Sequence, residues 1–336
     1  MGRQARAARN DLEHMLSDEK EHPKALPLSL LEDITDGFSE NHQIGSGGFA
    51  VVYKGMLENG IVAVKKLFER FDIPDNKFME EIRCLMRVKH KNIVRFLGYC
   101  ANTQGEIVDH AGGVVMADVR QRLLCFEYVP KGSLDEYIKD APNGHDWIKT
   151  YAIINGICEG LHYLHQNHIL HLDLKPANIL LDANMMPKIT DFGLSRCFDE
   201  KQTQAITKNM AGTLGYIAPE LHWGAIYTIT KKLDIYSLGV IIIEMLTGKK
   251  WYPSYPDVDN VLESWMNKLG KSQRDTQLKQ IRLCTELGIE CTDGNQVNRP
   301  DTSQIINRLG ETENACIMTG VSSLTVPQVT SIVECI

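Results

Sequence analysis

A chain of 336 residues is too long for one small core and fits either a single two-lobed domain or two domains. Its hydrophobic share of 43% is ordinary for a globular protein, and a net charge of −7 argues against a nucleic-acid binder. No apolar run reaches the length of a membrane span, because Ser237, Gly239 and Glu244 interrupt the longest candidate, 235–246.

The first residues carry no secretory leader, and Arg6 stands where a myristoylation motif wants Ser or Thr. Cys335 is next to last, which excludes prenylation. A soluble, cytoplasmic protein is therefore expected. The nine cysteines form no C-x-x-C pair and sit mostly in apolar runs, so they read as small buried hydrophobes in a reducing compartment rather than a zinc site. Residues 1–27 are polar and read as a flexible or partly helical lead-in. Contact of Arg3, Arg6 and Arg9 with a membrane surface is the alternative, but such anchoring normally needs two signals. Leu30, Ile34 and Phe38 then have helical spacing.

The run Ile44-Gly45-Ser46-Gly47-Gly48-Phe49-Ala50-Val51-Val52 lies between two strand-like stretches. Side-chain-free glycines let a backbone close over phosphates and donate N–H groups to them; a plain hairpin turn is the simpler reading of such a run taken alone. A β-branched strand, 61–65, follows and ends on Lys65. Pro74 opens a helix on which Phe78, Glu81, Leu85 and Val88 share one face, while Glu80 points outward as a solvated charge. Glu81 is thus the expected partner of Lys65. Residues 93–100 read as a strand, 101–122 as a long connection that is either functional or disordered, and 123–130 as a buried strand. An amphipathic helix is expected over 147–165; His162, His165 and His168 lack acidic or cysteine partners nearby and read as structural or surface residues.

The stretch His171-Leu172-Asp173-Leu174-Lys175-Pro176-Ala177-Asn178, followed by Asp191-Phe192-Gly193, has the groups that phosphoryl transfer needs. Asp173 would take or orient the proton of an attacking hydroxyl, and Lys175 would neutralise charge on the moving phosphoryl group. Asn178 and Asp191 offer the oxygen ligands that magnesium prefers. Helices are expected over 258–269, 277–291 and 302–309, with a mostly mobile tail over 310–336.

On these motifs, in this order, the chain resembles eukaryotic protein kinases, and most nearly plant receptor-like kinases of the Pelle/IRAK type, over residues 28–309. The resemblance implies an α+β fold of two lobes. A β-rich N-lobe with one main helix would cover 28–129, led in by a juxtamembrane-like segment, and a larger helical C-lobe would cover 130–309. It also implies that Ile44, Gly45, Ser46, Gly47, Gly48, Phe49 and Ala50 cover ATP, with Ala50 where the family has its third Gly. Lys65 would hold the α- and β-phosphates. Val52, Ala63 and Leu180 would sandwich the adenine, Phe126 would guard the back pocket, and Glu127 to Val129 would offer backbone hydrogen bonds. Thr213 would steady Asp173, Glu220 would pair with Arg299, and Asp234 would brace the catalytic loop.

The implied activity is ATP- and Mg2+-dependent (or Mn2+-dependent) phosphorylation of protein Ser/Thr hydroxyls, since Lys175-Pro176 resembles the serine/threonine branch. Protein substrates and an upstream membrane receptor kinase are the implied partners, at the inner face of the plasma membrane, with no nucleic acid. Leu172 departs from the Arg that family members regulated by loop phosphorylation carry (a non-RD pattern), so phosphate on Thr203 or Thr207 is not expected to be the main switch. The competing reading is a pseudokinase scaffold, favoured by Leu172, Ala50 and the 101–122 insert. A small-molecule kinase fits less well, because Ala218-Pro219-Glu220 resembles protein-substrate machinery.

Overall fold

Strand alternation in β4 (Ile61–Leu67) explains how the small lobe is built. Val62 and Val64 are fully buried on one face of the sheet; Ala63 and Lys65 occupy the other. The computed structural model describes residues 3–68, 75–110, 113–140, 146–198, 204–207, 212–221, 226–249, 256–271 and 273–318. Around β4 the sheet runs β1-β5-β6-β4-β3-β2, where β1 is Lys24–Ala25, β2 Gln43–Ser46, β3 Ala50–Met56, β5 Phe96–His110 and β6 Gly113–Glu127. All neighbours are antiparallel except β1 with β5. Pro74 lies outside the described residues, and helix α3 is described from Asp75 to Met86. It packs on the face that carries Lys65 and sends Phe78, Glu81, Ile82 and Leu85 inward.

The opposite face is covered by the lead-in. Helices α1 (Arg3–Ser17) and α2 (Leu28–Ile34) bury Ala5, Leu12, Met15, Leu30, Leu31 and Ile34 against Val62, Val64, Leu123 and Cys125. The described part of residues 1–27 is thus partly helical, the second of the two forms expected, and docked on the sheet. The Ala5, Ala8, Leu12 and Met15 stripe, at spacings of three and four, fits the apolar sheet face. Arg9 pairs with Asp33 at 2.5 Å, and the Arg95 guanidinium grips the Met15 and Asp18 carbonyls at 2.6 and 2.9 Å.

The described residues of 101–122, read from sequence as a connection, are instead the paired outer halves of two long strands. β5 and β6 pair from Ala101↔Arg122 out to His110↔Gly113. Val114 and Met116 are strand residues here, and their sheet face is solvent, as is that of Ile107. Among the described residues this outer half pairs only with itself.

The large lobe is helical: α4 (Leu134–Lys139), α5 (Trp147–Gln166), α6 (Lys231–Thr247), α7 (Val258–Met266), α8 (Arg274–Cys291) and α9 (Thr302–Met318). Helix α9 runs past the expected end at 309, and residues 319–336 lie outside the described part. Thr230 caps α6, its side chain accepting from Lys232 N, and Gly248 ends it at φ 68. A Cβ on Gly239 would sit 2.8 Å from the Gly288 carbonyl, so glycine at both positions lets α6 and α8 touch. Short strand pairs complete the described sheets: β7 (Ile169–Leu170) with β10 (Arg196–Cys197), β8 (Ile179–Leu181) with β9 (Pro187–Ile189), and β11 (Ala205–Thr207) with β12 (Tyr227–Ile229). One hydrophobic core runs through both lobes, from Leu67 and Phe78 to Phe192, Ile241 and Leu287. Among the described residues no helix is long and apolar enough to cross a membrane.

Candidate active site

The β4 register puts Lys65 beside α3. Its Nζ donates to Glu81 Oε1 at 3.1 Å and to Asp191 Oδ1 at 2.8 Å. Burial pulls the Lys65 ammonium down, but the Asp191 and Glu81 carboxylates outweigh it and hold it above the usual lysine value. The same lysine, against a smaller burial penalty, lowers the Asp191 carboxyl to about 2. Glu81 is buried, as its helix face requires. Glu80, expected to be a free solvated charge, meets Arg196 at 3.1 Å, an exposed pair of small energetic weight.

Asp191 follows β9, and Asn178 precedes β8. The β8–β9 ladder and the Thr190 N to Asn178 O bond of 2.9 Å bring these two residues together at one strand end. Asn178 donates through Nδ2 to Asp173 O at 2.9 Å and to Asp173 Oδ2 at 3.1 Å, so its side-chain carbonyl is the atom left for a cation. An amide oxygen and a carboxylate are hard donors, and two protein ligands beside phosphates suit magnesium. Among the described residues no cluster of three or more His, Cys, Asp or Glu side chains could hold a metal by itself.

Asp173 is held on both oxygens. Thr213 Oγ1 donates to Oδ1 at 2.6 Å, and Lys175 Nζ donates to Oδ2 at 2.7 Å and to Thr213 Oγ1 at 2.7 Å. The loop beneath is braced by Asp234, which is fully buried and accepts from His171 N at 2.9 Å and Leu172 N at 2.7 Å. Burial opposes its ionisation, yet bonds from His165 (3.0 Å) and the loop hold the carboxyl below the usual range. The brace keeps Leu172 at φ 65, a left-handed conformation costing roughly 1–2 kcal/mol for a residue with a Cβ. His165 is therefore an internal polar partner, and His162 bonds Thr302 at 3.1 Å. Glu220 takes a bidentate pair from Arg299, 2.7 Å on each arm.

The glycine-rich run is the β2–β3 hairpin, closed by Gly47 N to Ala50 O at 2.9 Å. Gly45 and Ser46 lie in β2 opposite Val52 and Val51, and Gly47, Gly48 and Phe49 form the tip, with Ile44 and Phe49 exposed. The Ala50 methyl is buried in the core opposite Leu67, at the start of β3. Ala63 and Leu180 are half-buried against the core, and Val52 is half-buried on β3. Phe126 packs its ring 5.5 Å from that of Phe96. Glu127 N donates to Arg95 O at 3.0 Å. The Glu127 side chain accepts from Arg95 N at 2.9 Å and from Lys188 at 2.7 Å. A cavity of about 120 Å³ adjoins Asp173, lined by Leu172, Leu174, Leu194, Tyr216, Ile217 and Leu221 among others.

Sequence reasoning missed three features: the Arg95 link, the Arg196–Glu80 pair and a Cys84–Cys197 disulfide with Cα atoms 5.7 Å apart. The last corrects the reading of every cysteine as a plain core hydrophobe; Cys100, Cys125, Cys158, Cys284 and Cys291 do fit it. Equal spacing in sequence marks none of these contacts, since each joins segments far apart. Thr203 lies outside the described residues, and Thr207 is in β11.

Residues 38–309 match the protein kinase domain family. Among curated proteins, a G-type lectin S-receptor-like serine/threonine-protein kinase of Arabidopsis thaliana is 36% identical over 309 residues, 87% of this chain and 36% of that protein. G-type lectin S-receptor-like serine/threonine-protein kinase SD1-13, also of Arabidopsis thaliana, is 35% identical over 304 residues, 84% of this chain and 34% of that protein. Cysteine-rich receptor-like protein kinase 10 of the same organism is 36% identical over 299 residues, 84% of this chain and 42% of that protein. The chain therefore spans about a third of the length of the G-type lectin relatives.

Proposed function

The chain belongs to the protein kinase family, and from that premise we propose that it transfers the γ-phosphoryl group of ATP to serine and threonine hydroxyls of protein substrates. The observation that carries this reading is the paired arrangement of Lys65 with Glu81 and Asp191, and of Asp173 with Lys175, Asn178 and Thr213. Each acid is fixed by a cation or donor before any substrate arrives, which is the positioning that phosphoryl transfer depends on.

In this mechanism Lys65, itself oriented by Glu81, holds the α- and β-phosphates. The glycine-rich hairpin from Ile44 to Ala50 covers them, and the Glu127 carbonyl and Val129 backbone hold the adenine edge between Val52, Ala63 and Leu180. Asp173 presents a fixed carboxylate to the substrate hydroxyl and takes its proton. Lys175 offsets the negative charge that develops on the moving group. Asn178 and Asp191 would hold Mg2+ (or Mn2+), which when bound neutralises charge on the phosphate oxygens. The cavity beside Asp173, lined by apolar residues together with Lys77, Arg196 and Thr213, would seat a side chain of the protein substrate.

The Thr213–Lys175–Asp173 triangle and Lys175-Pro176 support serine/threonine selectivity. Relatives named as receptor-like kinases support a role in signalling; the inner face of the plasma membrane as its place, and a membrane receptor kinase upstream, are part of the same proposal. Leu172 brings no charge to the activation segment, so activity does not hinge on a phosphate there. In a Thr203→Ala, Thr207→Ala double variant, kinase assays should retain most of the parent rate; near-total loss would refute the non-RD reading.

Leu172 is also the observation that favours a scaffold without phosphoryl transfer. The buried methyl of Ala50 does not add to that case, since it faces the core. Radiolabelled ATP with a generic protein substrate separates the two. Asp173→Asn should lower transfer by about 100- to 10,000-fold, and Lys65→Ala should also abolish most of it. Equal incorporation by the parent and both variants would leave only the scaffold.

A further inference from the structure

The two acids that share Lys65 come from elements joined a second time, by sulfur. Cys84 lies one helical turn beyond Glu81 on α3, and Cys197 lies in β10, on the segment that begins at Asp191. Cys84 is fully buried, whereas Cys197 is half-buried and follows the Arg196 that pairs with Glu80. The Cα separation of 5.7 Å is what a disulfide requires without movement of either backbone. We propose that Cys84 and Cys197 form a reversible redox latch, whose disulfide fastens α3, and with it Glu81, to the segment carrying Asp191.

The chemistry balances with a peroxide as oxidant. Peroxide oxidises one thiolate to a sulfenic acid and releases the first water; the second thiol attacks that sulfur, the S–S bond forms and the second water leaves. Two electrons and two protons pass from the cysteines to the peroxide. In the reverse direction a small dithiol attacks the accessible Cys197 sulfur and Cys84 leaves as a thiolate that is then protonated. The second thiol of the reagent resolves the mixed disulfide and frees Cys197. The other described cysteines stay out of this exchange. Burial pushes the Cys100 thiol up to about 11 and the Cys125 thiol up to about 12, and Cys158, Cys284 and Cys291 higher still.

With the latch closed, α3 cannot swing away from β10, and Glu81 stays within reach of Lys65. With it open, the Lys65 bridge between Glu81 and Asp191, the exposed Arg196–Glu80 pair and apolar packing hold that seam among the described residues. The effect on phosphoryl transfer rests on the kinase reading above; the latch itself does not. The test uses the full chain with Cys316→Ser and Cys335→Ser as background, since both lie outside the side chains described. After hydrogen peroxide, an unreduced digest should contain a peptide pair joining Cys84 to Cys197, and dithiothreitol should remove it. Amide exchange across residues 75–86 should slow about tenfold in the oxidised form, and kcat/KM for ATP should rise by roughly threefold or more. Cys197→Ser should abolish the redox difference in both measurements. Absence of the peptide pair, a pair that resists dithiothreitol, unchanged exchange on oxidation, or equal kcat/KM in two active redox forms would overturn the proposal. If neither redox form transfers phosphate while the cross-link and the exchange respond, the kinase reading fails and the latch stands.

Discussion

At Lys65 two carboxylates share one ammonium, and the arrangement sets a pH dependence. The folded value of Asp191, about 2, lies below the ~4 of a free carboxyl, so its contribution to stability is complete above pH ~4. That contribution is lost as pH falls from there towards 2. The raised Lys65 works at the other extreme and keeps its charge throughout the neutral range. The difference in thermal midpoint between the parent and Lys65→Met should therefore be present at pH 6 and close between pH 4 and pH 2. Circular dichroism melts would show it, and a gap undiminished at pH 2 would contradict the account. The residues of this centre were legible because phosphoryl chemistry demands particular groups at short spacings, as in Asp173-Leu174-Lys175 and Asn178. Glu81 was legible by helix face alone. Arg196 and the cysteine pair were not, because nothing in local spacing says which segment β10 will lie against.

Helix α1 shows why an element can be visible in pattern and still be misjudged. Its apolar stripe is short and interrupted by charge, so the composition of residues 1–27 suggests a solvated lead-in. What fixes it is the outer sheet face of Val62, Val64, Leu123 and Cys125, which needs a cover and is assembled from strands far along the chain. Leu12 is fully buried there, and Leu12→Ala should cost about 2–5 kcal/mol of stability in urea titrations. A loss below about 0.5 kcal/mol, the scale of a surface substitution, would mean the helix is not docked in solution. The β5–β6 arm fails for the opposite reason. Gly, Asp, Asn and Gln at its positions are poor strand formers, and only cross-strand pairing draws them into a ladder.

Across the whole molecule the two-lobed plan came from the family resemblance that the order of motifs carries, not from the run of strands and helices alone. The long-range pins were available only through the family likeness. Arg299 reaches Glu220 across 79 positions, donates to the Asp293 and Lys232 carbonyls at 2.8 and 3.0 Å, and lies with its guanidinium 5.0 Å from the Tyr236 ring centre. Its side chain is fully buried while Glu220 is partly open to water. Arg299→Ala removes both donors of the bidentate Glu220 pair, and it should destabilise the protein by about 3–5 kcal/mol. Denaturant titration checks this. A loss under 1 kcal/mol would show that the pin is replaceable by water.

The self-paired outer half of the β5–β6 arm also constrains how the gene can drift. Each residue gained on one side of the ladder needs a counterpart on the other if the side chains are to keep their faces. Alleles that vary in length at this point should therefore differ by even numbers of codons, and odd differences should leave a bulge.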